Sequence, residues 1–134
     1  LLAVAKYADM CNIGSRGFQH VERKLHILRA HCEAVGRDYD SIEKTMYGHA
    51  YIADNEDELE EYIMKRAKDF EITIDEYRKR IEPDHGSWVG LPEQVIERYK
   101  YLIDLGFTHF QIFFPFGTEI EMSTKFQTLV RSKL

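Results

Sequence analysis

Two cysteines, three prolines and one tryptophan in 134 residues are the scarcest features of this chain. Cys11 and Cys32 are too few for a disulfide framework, and nothing around them reads as secretory, so the small stapled extracellular folds are excluded. Basic charge is short as well. Lys and Arg number 18 against 23 Asp and Glu, a formal charge of -5. A nucleic-acid surface needs a basic stripe, and this mild acidity argues against one. No apolar run approaches the roughly 20 residues that a membrane helix requires. The opening LLAVAKYADM lacks the basic-then-apolar pattern of a signal peptide and begins inside what reads as the last turns of a helix, as in a piece of something longer. A cytoplasmic protein with neither membrane nor nucleic-acid partners is expected. Metal-ligand spacing is also missing. His26 and His31 stand at i and i+5, the wrong interval for a helical pair, and no cysteine or carboxylate completes a set. There is no internal repeat and no low-complexity tract.

What is present is an ordinary core-building inventory, 44% hydrophobic, in a length that fits one domain, 1–134. The stretch from Ser87 to Gly117, SWVGLPEQVIERYKYLIDLGFTHFQIFFPFG, organises the rest. Val95, Tyr99, Leu102 and Ile103 fall at helical spacing. Gly106 follows the last turn, where a left-handed C-cap residue is wanted, and a strand begins at once. Phe110 to Phe116 is apolar except for Gln111, which predicts a parallel strand covered on both faces.

Upstream, residues 1–8 read as helix and Asp9 to Ile13 as a short strand, followed by the turn Gly14-Ser15-Arg16-Gly17. Phe18 to Val35 is an amphipathic helix with Val21, Leu25, Leu28, Cys32 and Val35 on one face. Thr45 to Ala53 is a second strand, in which Gly48 marks a weak point or a close approach. From 54 to 87 the character changes. A charged helix, Glu56 to Phe70, carries only the narrow stripe Leu59, Ile63, Ala67, and a shorter helix runs to Ile81 behind Thr73 as its cap. Pro83, His85 and Gly86 end it. This segment reads as an insertion over the end of the sheet. Glu119 to Leu134 forms a last helix with Met122, Phe126, Leu129 and Val130 inward.

The order strand–helix–strand–insert–helix–strand–helix is a run of βα units and implies a parallel sheet. Three such units do not close a barrel, and a complete (β/α)8 barrel takes about 250 residues. The fold class is α/β, about three βα units of a barrel of that type.

Three segments, AKYADMCN, HCEAVGRDYDSIEKT and VGLPEQVIERYKYLIDLGF, carry a resemblance that spans nearly the whole chain. In that order they resemble the C-terminal part of the luciferase-like monooxygenases, the flavin- and deazaflavin-dependent barrel oxidoreductases. The resemblance implies the last three barrel strands, with a variable insertion where 54–87 lies. It also implies FMN or coenzyme F-420 as cofactor, a small-molecule substrate, and a cofactor site most of which lies upstream of Leu1. One departure stands out: the family usually places Thr before the Pro of VGLPEQV, and here Leu91 stands there.

In a βα barrel the active site lies at the C-terminal ends of the strands. At the first strand these are Asn12, as a pocket-lining amide, and the turn carrying Gly14 and Arg16. A glycine turn with an arginine at a helix N-terminus can hold a cofactor phosphate, or be a tight connection with a solvated Arg. On the second strand His49 shares a face with Tyr47 and Tyr51 and is either a pocket acid–base or a hydrogen-bonded core or interface histidine. On the last strand Gln111 faces the barrel interior. Phe113 stacks on a flavin or substrate, or else belongs to the core. Trp88 covers the pocket or anchors its own loop. The alternative function is a half-barrel binding or assembly module without catalysis. Either way, open strand edges predict a homodimer or larger.

Overall fold

In the computed structural model, which describes residues 1–14, 18–82 and 87–134, the central element is β2 (Glu43–Ile52). Three shorter strands pair with it, all parallel: β1 (Met10–Asn12), β3 (Trp88–Gly90) and β4 (Phe107–Phe113). Lys44 and Thr45 at the start of β2 are both buried, and from Met46 onward the side chains alternate as in a strand with one covered face. Met46, Gly48, Ala50 and Ile52 are buried, while Tyr47 and His49 are exposed. The buried side shares one core with α2 (Phe18–Val35), α5 (Pro92–Asp104) and the C-terminal segment, through Val21, Leu28, Cys32, Tyr99, Leu102 and Val130. A short N-terminal helix, α1 (Leu2–Tyr7), packs against α2.

The segment after β2 folds as α3 (Glu56–Asp69) and α4 (Ile74–Ile81), with a small core of its own, Leu59, Ile63, Ala67 and Tyr77 against Ala53 and Val89. Their starts are legible in the sequence. The Glu58 amide donates to Asn55 Oδ1 at 3.0 Å. Thr73 and Glu76 cap each other's amides at 2.8 and 3.2 Å, a complete capping box. Pro83, His85 and Gly86 lie outside the described residues.

Four expectations change. The strand expected at Phe110 to Phe116 runs instead from Phe107 to Phe113, and it is not covered on both faces: only Phe107 is buried, and Thr108, His109, Gln111 and Phe113 are exposed. Among the described residues it pairs with β2 alone, so one edge and the face away from the helices have no cover within this chain. Its end is set by the turn Pro115–Thr118, where Gly117 has a φ of +83°. Second, β3 is an additional strand, and its Trp88 is fully buried. Third, Val35, Ile103 and Leu129 point outward, at 37%, 40% and 38% exposure. Last, the C-terminal helix is not uniform: α6 (Glu119–Lys125) passes into a π-turn at Phe126–Val130. The wider turn puts Val130 inside and leaves Leu129 out.

Candidate functional site

Paired residues in a parallel ladder project to the same side. The registers therefore put Asn12, Thr45, Tyr47 and His49 on one face with His109, Gln111 and Phe113. The structure thus brings together three sequence-predicted residues, His49, Gln111 and Phe113. The Phe113 ring lies 5.7 Å from His49 and 6.2 Å, edge-on, from Tyr47. Asn12 is exposed on the same face, on the other flank of β2. His49 is not a core histidine, because its side chain is exposed; the same holds for Phe113, half exposed at 51%. Gly14 is half-buried, and a Cβ added there would meet nothing within 4 Å. Arg16 lies outside the described residues.

At the C-terminal end of β2 is a polar cluster that sequence reasoning missed. Lys125 Nζ donates to Asp54, Glu58 and Glu121 at 3.1, 3.3 and 3.2 Å, and reaches the Ile52 carbonyl at 3.5 Å. Tyr51 donates its hydroxyl to Glu58 at 2.9 Å, and the Asp54 amide donates to the other Glu58 oxygen at 2.7 Å. Burial works against the Glu58 charge, but the Asp54 amide, the Tyr51 hydroxyl and Lys125 outweigh it and hold the carboxyl below its ordinary range. Burial likewise opposes the Lys125 charge, and its three carboxylate partners overcome it and raise its pKa. Tyr51 is pushed up to about 12 by burial and by its bond to Glu58. The cluster ties α3 and α6 to the strand end. No local pattern could reveal it, since Lys125 and Glu58 are 67 residues apart.

Two of the concavities formed by the described residues border the sheet. A cleft of about 360 Å³ opens at the strand ends between α3 and the turn after β4, with Tyr51, Tyr62, Lys65, Pro115, Phe116 and Thr118 in its wall. An apolar groove of about 620 Å³ follows the free side of β4, over Tyr99, Phe107, Phe110 and Phe126. Trp88 lines neither. It stacks on Tyr99 at 4.7 Å and so anchors its loop, the second of its two readings. Among the described residues no three His, Cys, Asp or Glu side chains gather as a metal site, and no helix is long and apolar enough to cross a membrane.

No protein-family model matches the sequence, and no curated protein matches it. Solved structures do match. A long-chain alkane monooxygenase aligns over 99% of this chain with a TM-score of 0.68 at 15% identity. A riboflavin lyase, solved with modified FMN and riboflavin, aligns over 98% with a TM-score of 0.70 at 13% identity. The coenzyme F-420 dependent tetrahydromethanopterin reductase of Methanopyrus kandleri aligns over 98% with a TM-score of 0.66 at 14% identity. This chain spans 38%, 39% and 47% of those three chains. Likeness at such identities is likeness of fold. The resemblance read in the sequence is thus met in three dimensions: this chain has the fold of part of the barrel shared by luciferase-like monooxygenases and F-420-dependent oxidoreductases.

Proposed function

We propose that this chain is the C-terminal part of a luciferase-like oxidoreductase that uses FMN or coenzyme F-420 on a small-molecule substrate, and that it does not catalyse alone. The observation that carries the reading is the open face of β2 and β4, aromatic and amide-bearing, on a fold whose matched neighbours are flavin and F-420 enzymes. Charge on this face is confined to its start, where His109 Nδ1 lies 3.5 Å from the Glu43 carboxylate. The face offers the amides of Asn12 and Gln111, the imidazole of His49 and the rings of Tyr47 and Phe113.

These groups fit a flat ring system, which they can stack on and bind through amide hydrogen bonds. They do not make a phosphate site, because no Lys or Arg stands among them. Gly14 and Arg16 are the proposed phosphate contacts, with most of the site outside this chain. When bound, a flavin or deazaflavin supplies a ring that exchanges a hydride with a substrate carbon or, as reduced flavin, activates oxygen. The part of this chain would be to bind and orient: the Asn12 and Gln111 amides and the Phe113 ring would hold the ring system, and His49 would serve the substrate.

The test is titration of this chain with FMN and separately with F-420, following cofactor fluorescence. Saturable binding at micromolar concentration, lost in Gln111→Ala and Phe113→Ala, supports the reading. Absence of binding to both makes this chain a structural part of its barrel. A second reading, an assembly module without catalysis, is favoured by the same uncovered face and the free side of β4. It predicts association without cofactor binding.

A further inference from the structure

Phe116 is fully exposed, at 100%, although it sits at the functional end of the sheet beside a cleft. It is not exposed through looseness of the chain. The Thr118 amide and hydroxyl both donate to the Pro115 carbonyl, at 3.0 and 2.8 Å, and Gly117 takes the positive φ that closes this turn. The turn therefore fixes the phenyl ring at the rim of the cleft, where no residue of this chain among those described covers it. Across the cleft stands a second aromatic surface. Tyr62 lies flat on Tyr51 with centroids 3.7 Å apart and planes 10° apart, and the Tyr51 hydroxyl is fixed on Glu58.

The charges of the cleft decide what kind of ligand suits it. Glu58 is already engaged by Lys125, Tyr51 and the Asp54 amide. Arg66 is paired through one Nη with Asp69 at 3.2 Å and lies over the Phe70 ring, so its charge is met, although its buried Nε has no hydrogen-bond partner. Glu61 and Lys65 remain, one of each sign and one helical turn apart on α3, so the cleft offers no net uncommitted charge. A charged ligand would find its repellent beside its partner.

We propose that this cleft binds a neutral, planar aromatic compound, held between the Tyr62 side and the exposed Phe116 ring. The compound is the substrate, or the part of it remote from the reacting carbon. The proposal rests on the oxidoreductase reading only in calling the ligand a substrate, and binding is tested without cofactor.

The probe is 2-naphthol, followed by its own fluorescence on titration with this chain. The competitors are decahydro-2-naphthol, of the same skeleton without the aromatic rings, and the anion 2-naphthalenesulfonate. Saturable binding at one site is expected, weakened about fivefold or more in Phe116→Ala. Each competitor should show an inhibition constant at least fivefold above the Kd of 2-naphthol itself. Because Phe116 is wholly exposed, its replacement leaves the fold intact, which circular dichroism checks. Absence of binding, equal binding by Phe116→Ala, or equal displacement by the saturated alcohol or the anion overturns the proposal. The cofactor titration fails or succeeds separately.

Discussion

The ring of Trp88 fills the space that Gly48 leaves on β2: a Cβ built on Gly48 would stand 3.1 Å from Trp88 Cζ3. The ring cannot retreat, since it is fully buried, stacked on Tyr99 and edge-on to Phe110 at 5.9 Å. The glycine is therefore a packing requirement of the sheet, at the cost of some strand propensity. Gly48→Ala should destabilise the chain by about 2 kcal/mol through overpacking. Urea unfolding followed by tryptophan fluorescence measures it, and an unchanged midpoint would show that the core yields there.

Leu91 holds the N-cap position of α5 with extended backbone angles and makes no side-chain cap bond. Half of a capping box survives without it, because the Leu91 amide donates to Gln94 Oε1 at 2.9 Å. Leu91→Thr supplies the missing hydroxyl to the Gln94 amide and should stabilise the chain by about 1 kcal/mol. Thermal unfolding of the two forms decides it; a lower midpoint would mean that the Leu91 packing against the α3–α4 core outweighs the cap.

Glu58 carries a pH dependence of known sign. Its folded pKa is depressed, so the stability it contributes is present above the ordinary carboxylate value of about 4.3 and is lost as pH falls through the folded value. Glu58→Gln should unfold more easily at neutral pH and show a flatter loss of stability below about pH 4.3. Lys125→Met leaves Asp54, Glu58 and Glu121 facing one another without a cation and should cost about 2 kcal/mol at neutral pH. Denaturant midpoints between pH 3 and pH 7 test both, and parallel profiles for wild type and Glu58→Gln would refute the assignment.

What could be read beforehand was what the pattern repeats. α2 and α3 announce themselves by several turns of apolar spacing, and β2 by the nine residues of low charge from Thr45 to Ala53, although the strand itself starts two residues earlier, at the charged Glu43 and Lys44. β3 did not: WVG is three residues long, too short to alternate, and its strand character comes from pairing with Ala50 to Ile52. The faces of β4 were misjudged for another reason. Apolar composition records the burial for which a strand is fitted, and says nothing of whether the cover comes from the same chain. The face carrying His49, Gln111 and Phe113 followed from period-two alternation. The Lys125 cluster and the cleft beneath Phe116 are assembled from segments far apart in sequence, and only the folded chain joins them.

That misjudgement of β4 has a consequence in solution. Phe110 to Phe116 has the composition of a doubly covered strand, yet Phe113 is 51% exposed, beside Tyr47 at 47% and Met10 at 49% elsewhere on the open face. The outer edge of β4 borders an apolar groove, and among the described residues no strand pairs with it. An open edge and an apolar face side by side favour association strongly enough that dilution to micromolar concentration should not separate the copies. Light scattering should therefore report a dimer or larger. Phe113→Asp puts a charge on the open face without touching the buried core, and should shift the population toward monomer with the helical signal intact. A wild-type monomer at micromolar concentration would mean that the aromatic face is tolerated in water, and would leave ligand binding as the remaining reason for its composition.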